Sequence, residues 1–115
     1  MTETININYI EIPVTDMGRA KAFYGQAFGW DFIDYGPDYA AFAKAGLEGG
    51  LNGSGACKPS KNGALIVLYA KDLTAAVKAV RDAGGEITVP IFAFPGGRRF
   101  HFTDICGNEL AIWSK

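Results

Sequence analysis

The stretch that decides the fold runs from Tyr9 to Trp30 and reads Tyr-Ile-Glu-Ile-Pro-Val-Thr-Asp-Met-Gly-Arg-Ala-Lys-Ala-Phe-Tyr-Gly-Gln-Ala-Phe-Gly-Trp. Its first part predicts a strand over residues 5–12, because strand side chains alternate between two faces. Pro13 ends this strand, since proline has no N–H to donate to a neighbouring strand. A helix, a glycine stop and a second strand are predicted to follow.

The helix in this stretch carries signals at both of its ends. The side-chain oxygen of Thr15 or Asp16 can accept a hydrogen bond from a first-turn amide, and Gly29 suits the position just after a helix. Apolar residues recur at three- and four-residue steps, which marks one buried face. The residues on that face are Met17, Ala20, Phe23, Tyr24, Ala27 and Phe28.

A weaker copy of the same pattern occurs later in the chain. Aligning Asp16 with Asp72 needs no gap and also brings Ile10 onto Ile66 and Gly29 onto Gly85. Such self-similarity indicates a duplicated structural unit. The predicted strands after the first helix are Trp30–Tyr35, Tyr39–Lys44 and Leu47–Leu51. The second copy has strands at Ala64–Ala70, Glu86–Phe92, Arg98–Thr103 and Asn108–Ser114 around a helix that begins near Leu73.

These elements predict a single α+β domain over residues 1–115. It consists of two βαβββ modules, residues 1–53 and 63–115, joined by a glycine-rich polar linker over 54–62. A helix covers one face of each curved mixed sheet, and the other faces line a trough. Side-chain alternation assigns the following residues to the trough: Tyr9, Glu11, Leu65, Val67, Tyr69, Glu109, Ala111 and Trp113.

Composition excludes several classes of function. The net charge is −1 and no basic face is evident, so we expect no nucleic-acid partner. The longest apolar run, Ala64–Ala70, is too short to span a bilayer, and the first residues lack the pattern of a signal peptide. Cys57 and Cys106 are far apart and match no metal or redox motif, which predicts free thiols and a cytoplasmic location.

Six short segments together resemble the vicinal oxygen chelate superfamily, which includes glyoxalase I, bleomycin- and fosfomycin-resistance proteins and extradiol dioxygenases. They are Ile12-Pro-Val-Thr-Asp16, Ala22-Phe-Tyr24, Phe28-Gly-Trp30, Lys71-Asp-Leu73, Ala83-Gly-Gly85 and Phe102-Thr-Asp-Ile-Cys-Gly-Asn-Glu109. The chain is most similar to a small glyoxalase-like subgroup. This resemblance implies paired βαβββ modules and a homodimer whose modules pack across chains.

The resemblance also implies four positions at which metal-binding members hold a divalent ion. Here they fall on Tyr9, about Gly50, Leu65 or Ile66, and Ala111. None of these residues is a usual ligand for Zn²⁺, Ni²⁺ or Fe²⁺. We therefore predict no metal and no other cofactor, and the lyase or dioxygenase chemistry of the family is not expected.

Single residues add candidates for a binding or catalytic site. Glu11 lies between two isoleucines, where a buried carboxylate needs a partner or a role as a base. His101 faces away from its phenylalanine neighbours, and Arg98 or Arg99 can clamp a carboxylate or phosphate. The predicted ligand-binding residues are Tyr9, Val67, Tyr69, Arg98, His101, Glu109 and Trp113, with Glu11 as the candidate catalytic base.

Three functions remain open from the sequence. The first is a metal-independent protein that binds a small molecule in the trough, either to sequester an antibiotic or metabolite or to act on it with Glu11. The second is a divalent-metal-dependent lyase or dioxygenase. The third is a non-catalytic structural or interaction module, which predicts a filled trough.

Overall fold

The structure is a computed structural model, and it describes residues 3–115. Met1 and Thr2, which the prediction included in the first module, lie outside the described residues. Two helices and eight strands follow one another as βαβββ–βαβββ. Their bounds are β1 Ile10–Pro13, α1 Met17–Phe28, β2 Asp31–Asp34, β3 Tyr39–Ala43, β4 Gly49–Asn52, β5 Ile66–Tyr69, α2 Leu73–Asp82, β6 Glu86–Phe94, β7 Gly97–Thr103 and β8 Glu109–Ser114.

The strands form two four-stranded mixed sheets with the same topology. Sheet one has the order β1-β4-β3-β2 and sheet two the order β5-β8-β7-β6. In each sheet the first and last strands of the unit run parallel and the remaining pairs are antiparallel. The predicted α+β fold of two βαβββ units is therefore confirmed, and β1 and β5 are edge strands.

The predicted start of the first strand at residue 5 is wrong. The strand begins at Ile10, which is paired with Gly49, and the preceding residues belong to no strand. The reason is that the partner strand β4 begins only at Gly49. The Ile10 N–H donates to the carbonyl of Glu48, the residue just before β4, at 3.1 Å. Ile5 and Ile7 are consequently 89% and 79% exposed.

Both helices begin with an aspartate cap. Asp16 accepts from the Arg19 N–H at 3.1 Å, and Asp72 accepts from the Ala75 N–H at 3.0 Å. Asp16, rather than Thr15, is therefore the cap of the first helix. Gly29 ends that helix with φ 75°, a left-handed conformation that glycine adopts without a Cβ penalty. Neither helix is long and apolar enough to cross a membrane.

One hydrophobic core connects the two units. The α1 ring of Phe23 lies 6.3 Å from Phe102 on β7, and Phe28 lies 5.8 Å from the same ring. On the other side of α1, Tyr24 stacks on Trp30 at 5.0 Å, and Trp30 contacts Phe42 of β3. Each sheet packs one face against the helices. The packing of these residues between helices and sheets holds the two units together.

A buried polar cluster crosses the same boundary. It is centred on the Asp104 carboxyl group, which accepts hydrogen bonds from the Tyr24 hydroxyl at 2.6 Å and the Asn108 side-chain amide at 2.9 Å. It also accepts from the backbone N–H groups of Cys106 and Asn108. The Asn108 amide donates a further bond to the Pro13 carbonyl at 2.7 Å. The turn between β7 and β8 is thereby fixed to β1 and α1.

We expect this cluster to make folding sensitive to alkaline pH. Burial, reinforced by the Asp104 carboxylate, raises the pKa of Tyr24 well above its ordinary value of 10.0. Above pH 10.0 the unfolded chain releases this proton and the folded chain keeps it, so stability falls as pH rises. Measured by urea unfolding above that pH, the free energy of unfolding should fall by up to about 1.4 kcal/mol more per pH unit in the wild type than in Tyr24→Phe. An equal dependence of stability on pH in the two proteins would contradict this prediction.

Candidate functional site

The face of each sheet that lies opposite the helices is called its open face here. Tyr9, Val67 and Tyr69 on these faces are 46%, 42% and 48% exposed. Within one chain, therefore, neither open face is covered by the other. The filled trough of a purely structural module stays a prediction, because these exposures describe a single chain.

A hydrogen-bonded group occupies the open face of sheet one. The hydroxyls of Tyr9 and Tyr39 lie 2.5 Å apart, and Asn52 donates to a Glu11 carboxylate oxygen at 3.2 Å. Desolvation, together with the hydrogen bonds to Tyr9 and Glu11, raises the pKa of Tyr39 above its ordinary value. The Tyr39 phenol therefore keeps its proton to a higher pH than an ordinary tyrosine, and either hydroxyl of the Tyr9–Tyr39 pair can be the donor.

Glu11 is not buried, although its place between two isoleucines in the sequence suggested a buried carboxylate. Its side chain is exposed, and its partner is the amide of Asn52 rather than an arginine. The reason is that β1 lies at the edge of sheet one with its open face uncovered. The carboxylate is consequently accessible to a molecule that lies on this face.

The residues on sheet one do not fit the metal site that the resemblance implies. Gly50 is paired with Glu11, and a Cβ built on Gly50 would lie 2.4–2.6 Å from the Tyr39 ring and hydroxyl. The tyrosine thus fills the space that a ligating side chain at position 50 would need. The Tyr9 hydroxyl is engaged by the same tyrosine.

Sheet two offers no better donor set. Ala111 is fully buried and is paired with Val67, and Ile66 lies on the opposite face from Val67. Over residues 3–115 there is no group of three or more His, Cys, Asp or Glu that could hold a metal ion. The side chains present therefore do not fit the divalent ion of the metal-binding members.

An aromatic row crosses the open face of sheet two. Tyr69, Trp113, Arg99 and Phe92 are cross-strand neighbours on β5, β8, β7 and β6 in that order. The Tyr69 and Trp113 rings lie 4.9 Å apart, edge to face. The Arg99 guanidinium lies over the Phe92 ring at 5.3 Å and over the Phe94 ring at 5.7 Å. We call these five residues the aromatic row.

A polar pair lies beside the aromatic row. His101 Nδ1 is 3.1 Å from a Glu109 carboxylate oxygen, which Thr88 also approaches with its hydroxyl at 3.4 Å. The His101 ring stacks on Phe92 at 6.0 Å. Both members of the pair are mostly buried, with 14% and 23% of their side chains exposed. The pair thus places two polar side chains next to the aromatic row on sheet two.

The structure brings together most of the residues that the sequence nominated, but on two separate faces. Tyr9 and Glu11 lie on sheet one. The residues on the open face of sheet two are Val67, Tyr69, His101, Glu109 and Trp113. Arg98 is paired with Ser114 and alternates with Arg99, so it lies on the opposite face from Trp113.

Sequence reasoning did not nominate Tyr39, Asn52, Phe92 or Phe94, and of the two adjacent arginines it selected Arg98 rather than Arg99 for the site. Arg99 shares the parity of His101 along β7, which was a usable signal. Tyr39 and Asn52 are recognisable only from the register of β3 and β4. Phe94 was placed beyond the predicted end of β6, which in fact runs to this residue.

Two clefts lie on the surface of the chain, and the first borders the open face of sheet two, because Val67 and Tyr69 are among its lining residues. One, of about 540 Å³, runs along the edge of β5 between α2 and the end of α1, and its lining includes Trp30, Leu68 and Ala76. The other, also of about 540 Å³, lies between Thr15, Pro59 and Cys106. Glu11, Arg99 and His101 line neither of them. Both cysteines are free thiols.

This combination of two βαβββ units with exposed open faces defines a class of small pocket-forming α+β protein. The family model for the Glyoxalase/Bleomycin resistance protein/Dioxygenase superfamily matches residues 6–112. The chain therefore belongs to this superfamily, and the resemblance seen in its sequence is confirmed.

Individual relatives are distant. A protein of Mycobacterium bovis and Mycobacterium tuberculosis, provisionally named glyoxylase CFP32, is 27% identical over 92% of this chain. The alignment covers 44% of that protein, so the chain spans less than half the length of the curated relatives it matches.

Solved structures agree on the fold. A glyoxalase-related enzyme from Fulvimarina pelagi has a TM-score of 0.80 at 20% identity, covering 96% of this chain and 88% of its own. TnmS3, an antibiotic binding protein from Streptomyces sp. CB03234, has a TM-score of 0.72 at 23% identity. The match covers 99% of this chain and 98% of the TnmS3 chain.

Proposed function

We propose that this protein is a homodimeric, metal-independent small-molecule-binding protein whose ligand lies on the open faces of the two sheets. The proposal rests mainly on the aromatic row of sheet two, which is accessible in the single chain. Aromatic rings on an exposed sheet face give stacking area at low entropic cost. The division into modules 1–53 and 63–115 with linker 54–62 is part of this proposal.

The homodimer is supported by what a single chain leaves uncovered. Edge strands β1 and β5 have unpaired backbone groups on one side, and unprotected edges favour pairing with another chain. Ile5 and Ile7 are largely exposed just before β1, and a cleft with both polar and apolar lining residues follows the edge of β5. A second copy that covers these edges would also place two open faces on opposite sides of one pocket.

Sequestration of an antibiotic or metabolite is the form of binding that we favour. One structural neighbour is an antibiotic binding protein, and the present side chains do not fit a divalent ion. We place the protein in the cytoplasm as part of the same proposal, because Cys57 and Cys106 are unpaired.

Metal-free catalysis is a second candidate, and one observation favours it. The Glu11 carboxylate is exposed on the open face, is oriented by Asn52, and lies beside the neutral phenol of Tyr39. A carboxylate base next to a phenolic donor suits proton transfer on a bound molecule. This candidate requires a product, so mass spectrometry of the recovered ligand separates it from sequestration.

The binding experiment uses EDTA-treated protein and a panel of antibiotics and aromatic metabolites. We expect binding without added metal, and a fluorescence change that Trp113→Phe removes, because Trp30 is buried in the core away from the open faces. Sedimentation should give twice the 12.3 kDa mass of the chain. Stoichiometric Ni, Zn, Mn or Fe together with turnover of a thiohemiacetal or catechol would contradict the proposal.

A further inference from the structure

Arg99 is the unusual member of the aromatic row. Its Nε is buried and has no hydrogen-bond partner. Across residues 3–115 the ion pairs join other side chains, and no carboxylate pairs with this guanidinium. The rings of Phe92 and Phe94 hold the cation in place instead. Cation–π contacts fix its position and leave its charge without a counter-ion.

An arginine without a counter-ion among aromatic rings is a strong binding site for an anion, because the guanidinium donates hydrogen bonds and accepts none. Its planar fork of N–H donors matches a carboxylate in bidentate geometry, and such charge-assisted bonds are among the stronger ones in proteins. Aromatic walls lower the local dielectric, which strengthens the pairing further. A ligand anion would pair with the N–H groups at the end of the guanidinium, because the buried Nε is closed to solvent.

The neighbouring residues set the shape and direction of the ligand. Ala111 follows Arg99 and Trp113 in the next row along the sheet, between Val67 and His101, and is itself fully buried. The aromatic row crosses four strands, a span of about 14 Å. The negative end of a ligand is repelled by Glu109, which lies four residues before Trp113 on β8, and is attracted by Arg99.

We infer that the open face of sheet two selects a flat aromatic anion, with the ring system on Trp113 and Tyr69 and the anionic group on Arg99. The inference rests on the proposed function and adds the chemical class of the ligand. Arg99 acts here as the specificity-determining residue, and Arg98 on the opposite face takes no part.

The test compares two probes of equal ring size, 2-naphthoate and neutral 2-naphthamide, by Trp113 fluorescence. Wild type should bind the anion about 10- to 100-fold more tightly than the amide, as expected for charge-assisted bonds. Arg99→Gln should abolish this preference while it still binds the amide. Arg98→Gln is the matched control, because the same charge is removed from the other face, and it should keep the preference.

Each other outcome overturns the inference in a recognisable way. Equal binding of both probes by wild type refutes the role of Arg99 but leaves the proposed function intact. If neither probe binds, both the inference and an aromatic ligand for the proposed function are refuted. If Arg99→Gln keeps the preference but dissociates the dimer in sedimentation, the arginine pairs with a carboxylate of a second copy instead. Thermal unfolding of each variant checks that the fold is retained.

Discussion

Replacing Asp104 with alanine is expected to destabilise the protein by about 3–5 kcal/mol, because several buried donors lose their acceptor at once. The carboxyl group is 5% exposed and accepts four hydrogen bonds. Removing it leaves the Tyr24 hydroxyl and the Asn108 amide without their buried acceptor, and each unsatisfied group costs about 1–3 kcal/mol. Because these groups belong to both units, the loss should loosen the junction between them.

Urea unfolding followed by tryptophan fluorescence measures this effect. Asp34→Ala is the matched control, since Asp34 is also an aspartate but its ion pair with Lys21 is largely solvent-exposed. Such exposed pairs contribute little, so this variant should change stability by less than about 1 kcal/mol. Similar stability losses in the two variants would show that the buried cluster does not hold the units together.

Replacing Gly49 with alanine is expected to destabilise the protein by about 3 kcal/mol, near the upper end of the usual range for overpacking. A Cβ at this position would lie 2.1 Å from the Ile10 carbonyl oxygen and 2.4 Å from the Phe42 ring. Since β1 is held only by β4 in sheet one, relief of the clash requires β1 to move. Tyr9 and Glu11 would move with it, so the site on sheet one should be lost as well.

Gly63→Ala provides the control, because a Cβ there meets no atom within 4 Å. It should leave stability unchanged or raise it slightly, since alanine restricts the unfolded chain. Unfolding of both variants, together with ligand binding by EDTA-treated protein, gives the comparison. Wild-type stability in Gly49→Ala would mean that β1 and β4 can separate without cost.

The candidate site shows where sequence reasoning stops. Alternation along a strand assigned Trp113 to the open face and turned His101 away from Phe100 and Phe102, and the register agrees, because the side-chain period of two holds wherever the strand is regular. It did not identify Arg99 as the open-face arginine, since two adjacent arginines differ only in parity and the prediction favoured the first. Tyr39 and Asn52 were missed because their position beside Glu11 depends on the register of three strands.

The sequence alone determined the duplicated βαβββ order, the starting region of each helix, Gly29 and the superfamily, because these follow from local periodicity and from short motifs. Only the tertiary structure decided that β1 starts at Ile10, that Tyr39 fills the space above Gly50, and that Arg99 is left without a counter-ion. These features depend on which side chains meet across strands that are distant in sequence. Pairing between distant strands is set by the packing of the whole chain, so local sequence propensity does not predict it.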